Sequence, residues 1–464
     1  MRLGELLLGA LQKDGRVSMM HRQALHLDPL ESTHSSREAR TPRALGPHMA
    51  VGLAMRSILF SEMENSVAAR IVQTSFLMFL GYLVIGLLLA ILPSFVHLRL
   101  GLTPVWAGIV VGTQYASTLL TRPRAGLMTD LTGPKATVLS GQAAFLVSGS
   151  LLLISAFLQH RVALCISVLL LSRVVLGYGE SSVATGTITW GLGRVGPENA
   201  TQVISWSGIA SYSAMALGAP LGIWIERLYG FAAIGATVLA ISFLNLIFAS
   251  FIAGVPVVGG TRIGFSKLLL RVLPMGLGLA FGTVGFGVIA SFLTLYFARQ
   301  HWSDPAIALV LFGIGFVVTR LLLANTIDRW GGFRLAIVSL FVEFAGLVAL
   351  WMATTQDTAM AATTLSGCGF ALVFPALGVE VVREVSGQDR GVALGVYTAF
   401  LDLAMGTTGP LAGYLIMHFG YGAIFLSASG AAICGCIVLA VLLYRISEHR
   451  TREISSQVTS TSWT

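Results

Sequence analysis

Four ionisable side chains stand inside long apolar stretches: Arg173, Glu180, Glu343 and Asp402. A charge at the centre of a membrane helix costs at least ~2.5–3.5 kcal/mol on insertion scales, so each needs a partner, a proton or a wet cavity. Arg173 and Glu180 are seven residues apart, two helical turns, so they share a face at a rise of roughly 10 Å. That is far for a direct pair and suits two ends of one polar cavity. Burial favours the neutral carboxyl and a nearby guanidinium favours the carboxylate. The protonation of Glu180 can therefore depend on what lies between the two groups, which is proton-switch chemistry. Two plainer readings stand beside it: Arg173 can bridge backbone carbonyls, and Glu180 can sit in the headgroup region if its helix ends early. Asp402 is a second coupling candidate, and Glu343 is expected to be paired or permanently protonated. Tyr82, Gln114, Tyr115, Tyr212 and Tyr397 offer aromatic or polar groups to a substrate, although most membrane aromatics only pack or anchor.

No catalytic arrangement competes with this reading. Gly179-Glu180-Ser181-Ser182 lacks the G-x-S-x-G spacing and follows no strand. The chain has no Gly-Lys-Ser phosphate loop, which excludes direct use of ATP on motif grounds. Cys165, Cys368, Cys434 and Cys436 form no C-x-x-C pair and have no neighbouring His, so neither zinc nor a disulfide framework is expected. His97, His160, His301 and His418 are scattered singly. The expectation is a protein that is not an enzyme and uses no cofactor or metal.

The elements that must position these groups follow from composition. Of 464 residues, 55% are hydrophobic and 11% charged, with mean hydropathy +0.81, where a soluble domain is roughly a quarter charged. A water-soluble globule is excluded. At ~20 apolar residues per crossing, the stretch from Thr74 to Tyr444 accommodates about twelve helices with their loops. The 52 glycines fit helices that approach closely in lipid. A β-barrel would alternate apolar and polar residues, whereas Ser75 to Leu92 and Phe248 to Val258 are apolar on every face.

Twelve spans are predicted at 74–96, 105–122, 136–158, 163–190, 203–224, 231–254, 272–297, 305–324, 334–353, 358–382, 391–416 and 422–445. Residues 1–70, rich in His, Arg, Ser and Pro, read as a disordered cytoplasmic tail. Met1 to Leu11 is a poor signal peptide, and Met49, Met55 or Met63 could be the start. The net charge of +8 could suggest nucleic acid, but the basic residues lie in the tail and in short loops, not on one face. Loops after even-numbered spans carry twelve basic residues, against Arg99, Arg161, Arg227 and Arg299 after odd-numbered ones. The positive-inside rule then places both termini in the cytoplasm.

The chain also repeats itself. Thr121-Arg122, seven residues, Asp130 and Gly133 recur as Thr319-Arg320, seven residues, Asp328 and Gly331, an offset of 198. Gly177-x-Gly179 against Gly367-x-Gly369, and Pro220 against Pro410, share an offset of 190. Two parallel halves are expected, 71–254 and 272–445, joined by a cytoplasmic loop at 255–271 and followed by a cytoplasmic tail at 446–464, with the site at midplane between them. The repeat partner of Arg173 is the uncharged Thr363, which favours a functional over a repeat-wide structural charge. Gly126 is read as removing a side chain at a helix crossing, Gly133 as permitting a positive φ, and Asp130 as accepting N–H bonds at a helix N-terminus.

These residues carry a resemblance. Gly126-Leu-Met-Thr-Asp130-Leu-Thr-Gly133-Pro-Lys135 resembles the G-x-x-x-D-x-x-G-x-[KR] loop between helices 2 and 3 of the major facilitator superfamily. Asp328-Arg329-Trp330-Gly331 sits where that family places its second copy, with Ala324 and Phe333 departing from the pattern. Gly285-Phe-Gly-Val-Ile-Ala-Ser-Phe, Val373-Phe-Pro-Ala-Leu-Gly378 and Thr408-Gly-Pro-Leu-Ala-Gly413 are similar to the YhhS-type subgroup of bacterial facilitator transporters. The likeness covers 74 to 445 and not the tail.

The resemblance implies an all-α membrane protein of twelve transmembrane helices in two six-helix pseudo-symmetric halves, in the bacterial cytoplasmic (inner) membrane, multi-pass and monomeric. Its partners are a small-molecule substrate, protons and the lipid bilayer. The loop residues Arg122, Gly126, Asp130, Gly133, Lys135, Arg320, Asp328 and Gly331 become a cytoplasmic latch that opens as the halves rock. Arg173 with Gly177 matches a helix-4 R-x-x-x-G spacing associated with proton coupling. Helix 11 contacts the opposite half, which favours Asp402 over Glu343 on the peripheral helix 9. Gly218, Pro220, Gly222, Gly409, Pro410 and Gly413 pack and bend spans 5 and 11 at the interface of the halves. Gly409-Pro410 with Gly413 matches the G-P-x-x-G piece of an antiporter motif, while Ala219 interrupts it in span 5. Proton-coupled efflux is the expected function, with a proton symporter or uniporter for a sugar or organic acid as the alternative and a non-transporting receptor as a remote one.

Overall fold

The computed structural model describes residues 66–256, 265–323, 326–385 and 390–461. The expected N-terminal tail up to residue 65, with its alternative starts, and the middle of the expected central loop lie outside those residues. Among the described residues there are twelve long helices and no strand. They are α1 (Val67–Arg99), α2 (Pro104–Thr132), α3 (Pro134–Phe157), α4 (Val162–Val195), α5 (Ala200–Tyr229), α6 (Phe231–Phe251), α7 (Phe265–Arg299), α8 (Pro305–Leu323), α9 (Gly332–Trp351), α10 (Gln356–Arg383), α11 (Arg390–Phe419) and α12 (Gly422–Thr461). Eleven are long and apolar enough to cross a bilayer. The exception, α2, is 29 residues long, about 43 Å of helix. It falls short in hydropathy because Thr113, Gln114, Ser117, Thr118, Thr121 and Arg122 crowd its third to sixth turns. Large apolar side chains on the outer faces, such as Leu120, Phe251 and Leu321, are well exposed and form the surface that a bilayer covers.

Helix ends and breaks follow local chemistry. Ser66 caps α1 by accepting the Ala69 N–H at 3.1 Å. Pro93 has no N–H for the carbonyl of Leu89, and α1 breaks there into Val67–Leu89, Ile91–Ser94 and a π-helical turn Phe95–Arg99. Pro375 does the same to the carbonyl of Ala371, and α10 divides into Gln356–Phe370 and Val373–Arg383. Pro123, by contrast, is carried inside α2. The helix therefore runs ten residues past the expected span end at 122, and Arg122, read from sequence as a loop residue, lies inside it. Arg320 is likewise inside α8. At the other terminus α12 continues as helix to Thr461, past the expected tail start at 446, with no Gly or Pro after Gly435 to stop it.

In the first half, α3 packs between α4 and α6, and α1 packs on α5 and α4. In the second, α9 packs on α10 and α12, and α7 on α11 and α12. The halves meet through α2 against α11 and α5 against α8, with the C-terminal end of α1 touching α7. The α2–α11 contact is a glycine seam. A Cβ on Gly108 would lie 2.0 Å from the Gly409 carbonyl oxygen, one on Gly112 2.5 Å from that of Gly406, and one on Gly413 2.5 Å from that of Pro104. Gly108, Gly112 and their partners lie in the N-terminal part of α2, so the seam joins the halves at that end of the helix. The glycines of α5 do something else. Gly218 and Gly222 face the backbone of Gly86 and Leu87 on α1, at 2.7 and 2.2 Å for a built Cβ. They tighten the first half internally, which corrects the expectation that they pack at the interface of the halves. Pro220 and Pro410 are both inside their helices.

A methyl group has no room at the seam. Gly409→Ala should destabilise this conformation by about 1–3 kcal/mol, the usual cost of overpacking, and lower the melting temperature of the purified protein. Gly430→Ala, where a Cβ meets nothing within 4 Å, should leave it unchanged; equal behaviour of the two would show that the seam is loose.

Candidate functional site

The site begins with one face of α2. Gln114, Thr118 and Arg122 recur every four residues, so they stack along a single stripe. Gly177 of α4 lets that stripe come close: a Cβ there would lie 2.3 Å from the Gln114 carbonyl oxygen, and Ser117 donates to the Val174 carbonyl at 2.7 Å. The close approach brings Glu180 of α4 onto α2. Its Oε2 accepts Gln114 Nε2 at 3.1 Å and Thr118 Oγ1 at 2.9 Å. Glu180 is 2% exposed and α4 runs on to Val195, so the helix does not end early at this residue.

One turn further along α2, Arg122 Nε pairs with Asp402 Oδ2 of α11. The pair joins the two halves and is buried, with Asp402 at 1% and Arg122 at 15% side-chain exposure. The other oxygen, Asp402 Oδ1, has no hydrogen-bond partner. Tyr82 and Tyr115 lie within electrostatic reach of both Glu180 and Asp402, and the buried Tyr115 hydroxyl is unpartnered. Two carboxyl groups, one guanidinium and a ring of hydroxyl and amide groups thus share one buried region between the halves.

Arg173 is elsewhere. It is fully buried and donates Nη2 to Ser172 Oγ at 2.9 Å, while Nε and Nη1 have no partner. The structure does not pair it with Glu180. Glu343 is also separate, packed into the space that Gly282 and Gly285 of α7 leave open; a Cβ on Gly285 would lie 2.4 Å from Glu343 Oε1. Its Oε2 is buried without a partner, inside the second half and away from the interface.

The loop residues divide. Gly133 and Gly331 have φ of +93° and +80°, the left-handed region that favours glycine. Gly126 meets nothing within 4 Å of a built Cβ, so no helix crosses there in this conformation and the sequence reading of that glycine is corrected. Lys135 donates to the carbonyls of Ser250 and Ile252, both at 2.8 Å; it closes the C-terminal end of α6 within its own half. Asp130 is exposed in the last turn of α2. The side chain of Asp328 and the whole of Ala324 lie outside the described residues. Arg320, 8% exposed, has its guanidinium over the rings of Tyr212 at 5.7 Å and Phe316 at 5.6 Å.

Sequence reasoning missed the Arg122–Asp402 pair, whose members are 280 residues apart. A usable signal was present in the four-residue spacing of Gln114, Thr118 and Arg122, which is a helix face and not a loop.

Comparison with known proteins agrees with this architecture. An uncharacterised MFS-type transporter of Burkholderia mallei (strain SAVP1) is 50% identical over 367 residues, covering 79% of this chain and 90% of its own. The chain belongs to the major facilitator superfamily. The superfamily profile matches residues 275–463, and a second uncharacterised MFS-type transporter, from Pseudomonas aeruginosa (strain UCBPP-PA14), is 46% identical over 384 residues, covering 83% of this chain and 95% of its own. Among solved structures, a D-xylose-proton symporter superposes with TM-score 0.68 at 15% identity, covering 80% of this chain and 97% of its own. The human organic anion transporter MFSD10 (TETRAN) superposes with TM-score 0.64 at 17% identity, covering 80% and 99%. At that identity both show the fold alone. The chain is therefore a multi-pass membrane transporter of the facilitator type and not an enzyme.

Removing one member of a buried ion pair strands the other charge, at a general cost of about 3–5 kcal/mol. Arg122→Gln and Asp402→Asn should each lower the thermal stability of the detergent-purified facilitator. The double variant should lose less than the sum of the two. Additive losses would mean that the pair contributes nothing across the interface.

Proposed function

We propose that this facilitator is a proton-coupled antiporter that exports a small organic molecule from the cytoplasm by alternating access, with both termini on the cytoplasmic side of the inner membrane. The observation that carries the reading is the buried Arg122–Asp402 pair joining the halves next to Glu180. An ion pair across a moving interface is a latch whose strength depends on a proton. With Asp402 ionised, the pair holds α2 to α11. With Asp402 protonated, the attraction is lost and the interface is free to part. Glu180, held by two neutral donors and no cation, is a second carboxyl that can take up a proton without breaking an ion pair. A substrate entering beside them competes for the same polar groups. The basic loops on the terminus side support the orientation, and the Gly409-Pro410 segment of α11 supports exchange over one-way passage.

Inward movement of one proton is worth ~2.3 kcal/mol per 100 mV before any pH gradient, enough for a modest uphill gradient of cargo. The exposed Asp130 and the left-handed Gly133 and Gly331 fit a gate at the cytoplasmic ends of the helices, and Asp130→Asn should slow flux with little change in folded yield.

Proteoliposomes containing a pH dye and challenged with drugs, herbicides, sugars and organic acids test the coupling. Substrate-dependent proton movement opposite to the substrate is expected. It should be abolished in Glu180→Gln and Asp402→Asn, with substrate exchange at zero proton gradient retained in at least one of them. Proton and substrate moving together would make the protein a symporter, and substrate flux without a proton signal a uniporter.

A further inference from the structure

The two interfaces between the halves are related by the internal repeat, and they are chemically unequal. The offset of 198 that relates Thr121-Arg122 to Thr319-Arg320 places Arg320 of α8 in the position of Arg122 of α2. The offset of 190 that relates Pro220 to Pro410 places Tyr212 of α5 in the position of Asp402 of α11. The structure keeps the correspondence: Arg122 meets Asp402 across one interface, and Arg320 lies over Tyr212 across the other. The cation is present twice and the acid once.

Arg320 is consequently a buried guanidinium without a counter-ion. It makes no ion pair or hydrogen bond with any described residue, and its Nη1 is buried and unpartnered, as is the Tyr212 hydroxyl. Around the pair stands an aromatic cage. The Tyr212 ring is 5.7 Å from Phe316, 5.9 Å from Phe370 and 5.2 Å from Phe374, and Phe374 is 5.4 Å from Tyr397. Gly208, one turn before Tyr212, lets the guanidinium and Phe374 pack close to α5: a Cβ there would lie 3.4 Å from Arg320 Nη2 and 3.3 Å from Phe374. A guanidinium retains its charge at any pH the cell reaches. Rings stabilise it only in part, since a cation–π contact offsets a fraction of the cost of burying an ion.

We propose that Arg320 and Tyr212 form a binding site for an organic anion, a carboxylate carried on a planar apolar body. The carboxylate takes the place that Asp402 fills at the other interface, accepting from the guanidinium fork and the Tyr212 hydroxyl. The planar body replaces part of the ring packing that Phe316, Phe370 and Phe374 now make on Tyr212, and enters when the α5–α8 interface parts. The inference rests on the transporter reading above, because it names the class of cargo.

Binding of radiolabelled 2-naphthoate to the purified protein in nanodiscs tests it, with 2-naphthamide as the uncharged isostere. Saturable naphthoate binding is expected, at least tenfold tighter than the amide and weakened at least tenfold by Arg320→Gln. Because that variant could misfold, Tyr212→Asp is measured in parallel. It supplies the missing acid in place and should keep or raise the melting temperature while abolishing naphthoate binding. Equal binding of acid and amide, no naphthoate binding by the wild type, or full binding by Tyr212→Asp would each overturn the proposal and leave Arg320 as packing. The failure of the transport reading looks different: naphthoate would bind and yet no flux of it would appear in proteoliposomes. Flux of a neutral cargo, untouched by Tyr212→Asp, would keep the transporter and remove this site.

Discussion

A charge inside a bilayer has to be answered where it stands, and the Arg122–Asp402 pair is the answer on which the α2–α11 interface depends. Every local feature nearby serves the meeting of these two groups. The glycine seam at Gly108, Gly112, Gly406, Gly409 and Gly413 draws the helix backbones into contact. Gly406 faces Gly112 and Ala116, so continuing that register puts Asp402 within about one helical turn of Arg122. Helical side chains lean toward the N-terminus of their own helix. Because α2 and α11 run in opposite directions here, the leaning brings guanidinium and carboxylate toward each other. Uninterrupted passage of α2 through Pro123 is equally necessary, since a helix ending at the proline would leave Arg122 in a loop beyond reach.

The same constraint explains why α2 is the least apolar of the twelve helices. Gln114 and Thr118 reduce its hydropathy, and they are also the two donors that hold Glu180. Burying a carboxyl group without hydrogen bonds would cost more than burying the donors that satisfy it. Polarity in a membrane helix is thus a map of the interior: where the outer helices α3, α6, α9 and α12 are apolar over most of their surface, α2 carries its polar stripe toward the other half. The short segment between Gln114 and Arg122 holds both carboxyl sites in one frame, so a shift of α2 against α11 alters the surroundings of Glu180 and Asp402 together.

Much of this architecture was legible in the order of residues. Eleven apolar spans, a more polar twelfth helix between them, the internal repeat, glycine turns at Gly133 and Gly331 and buried acids at Glu180, Glu343 and Asp402 follow from hydropathy, offset and the cost of charge in lipid. Partnerships were less legible, for a physical reason. Hydropathy reports how much polarity a helix holds and says little about which helix receives it, and Pro123 and a cluster of arginines look the same at a loop as in a buried helix. Arg173 and Glu180 share a helix face, yet Glu180 is turned onto α2 by the absence of a side chain at Gly177, a contact that no spacing within α4 announces. Gly218 and Gly222 read like Gly409 and Gly413 because small-residue runs are the same signal whether they face a neighbour in the same half or in the other.

Among the described residues of the membrane part, five Arg, Asp and Glu side chains are buried, Arg173, Arg320, Glu180, Glu343 and Asp402, and a sixth, Arg122, is 15% exposed. They balance in sign and fail to balance in space, since one contact neutralises two of them and four remain apart. A protein selected for stability alone would gain by pairing or deleting those four, because separated charges in a low dielectric are costly. Their placement apart is understandable if the missing partners arrive and leave. A proton can neutralise Glu180 without any movement of the chain, and an organic anion can neutralise Arg320 from solution. The alternating access proposed above then has an electrostatic logic. In that proposed cycle the conformation with both halves closed is most favourable when each isolated charge has been met, and an empty, unprotonated protein is left with cations and acids that the fold alone does not bring together.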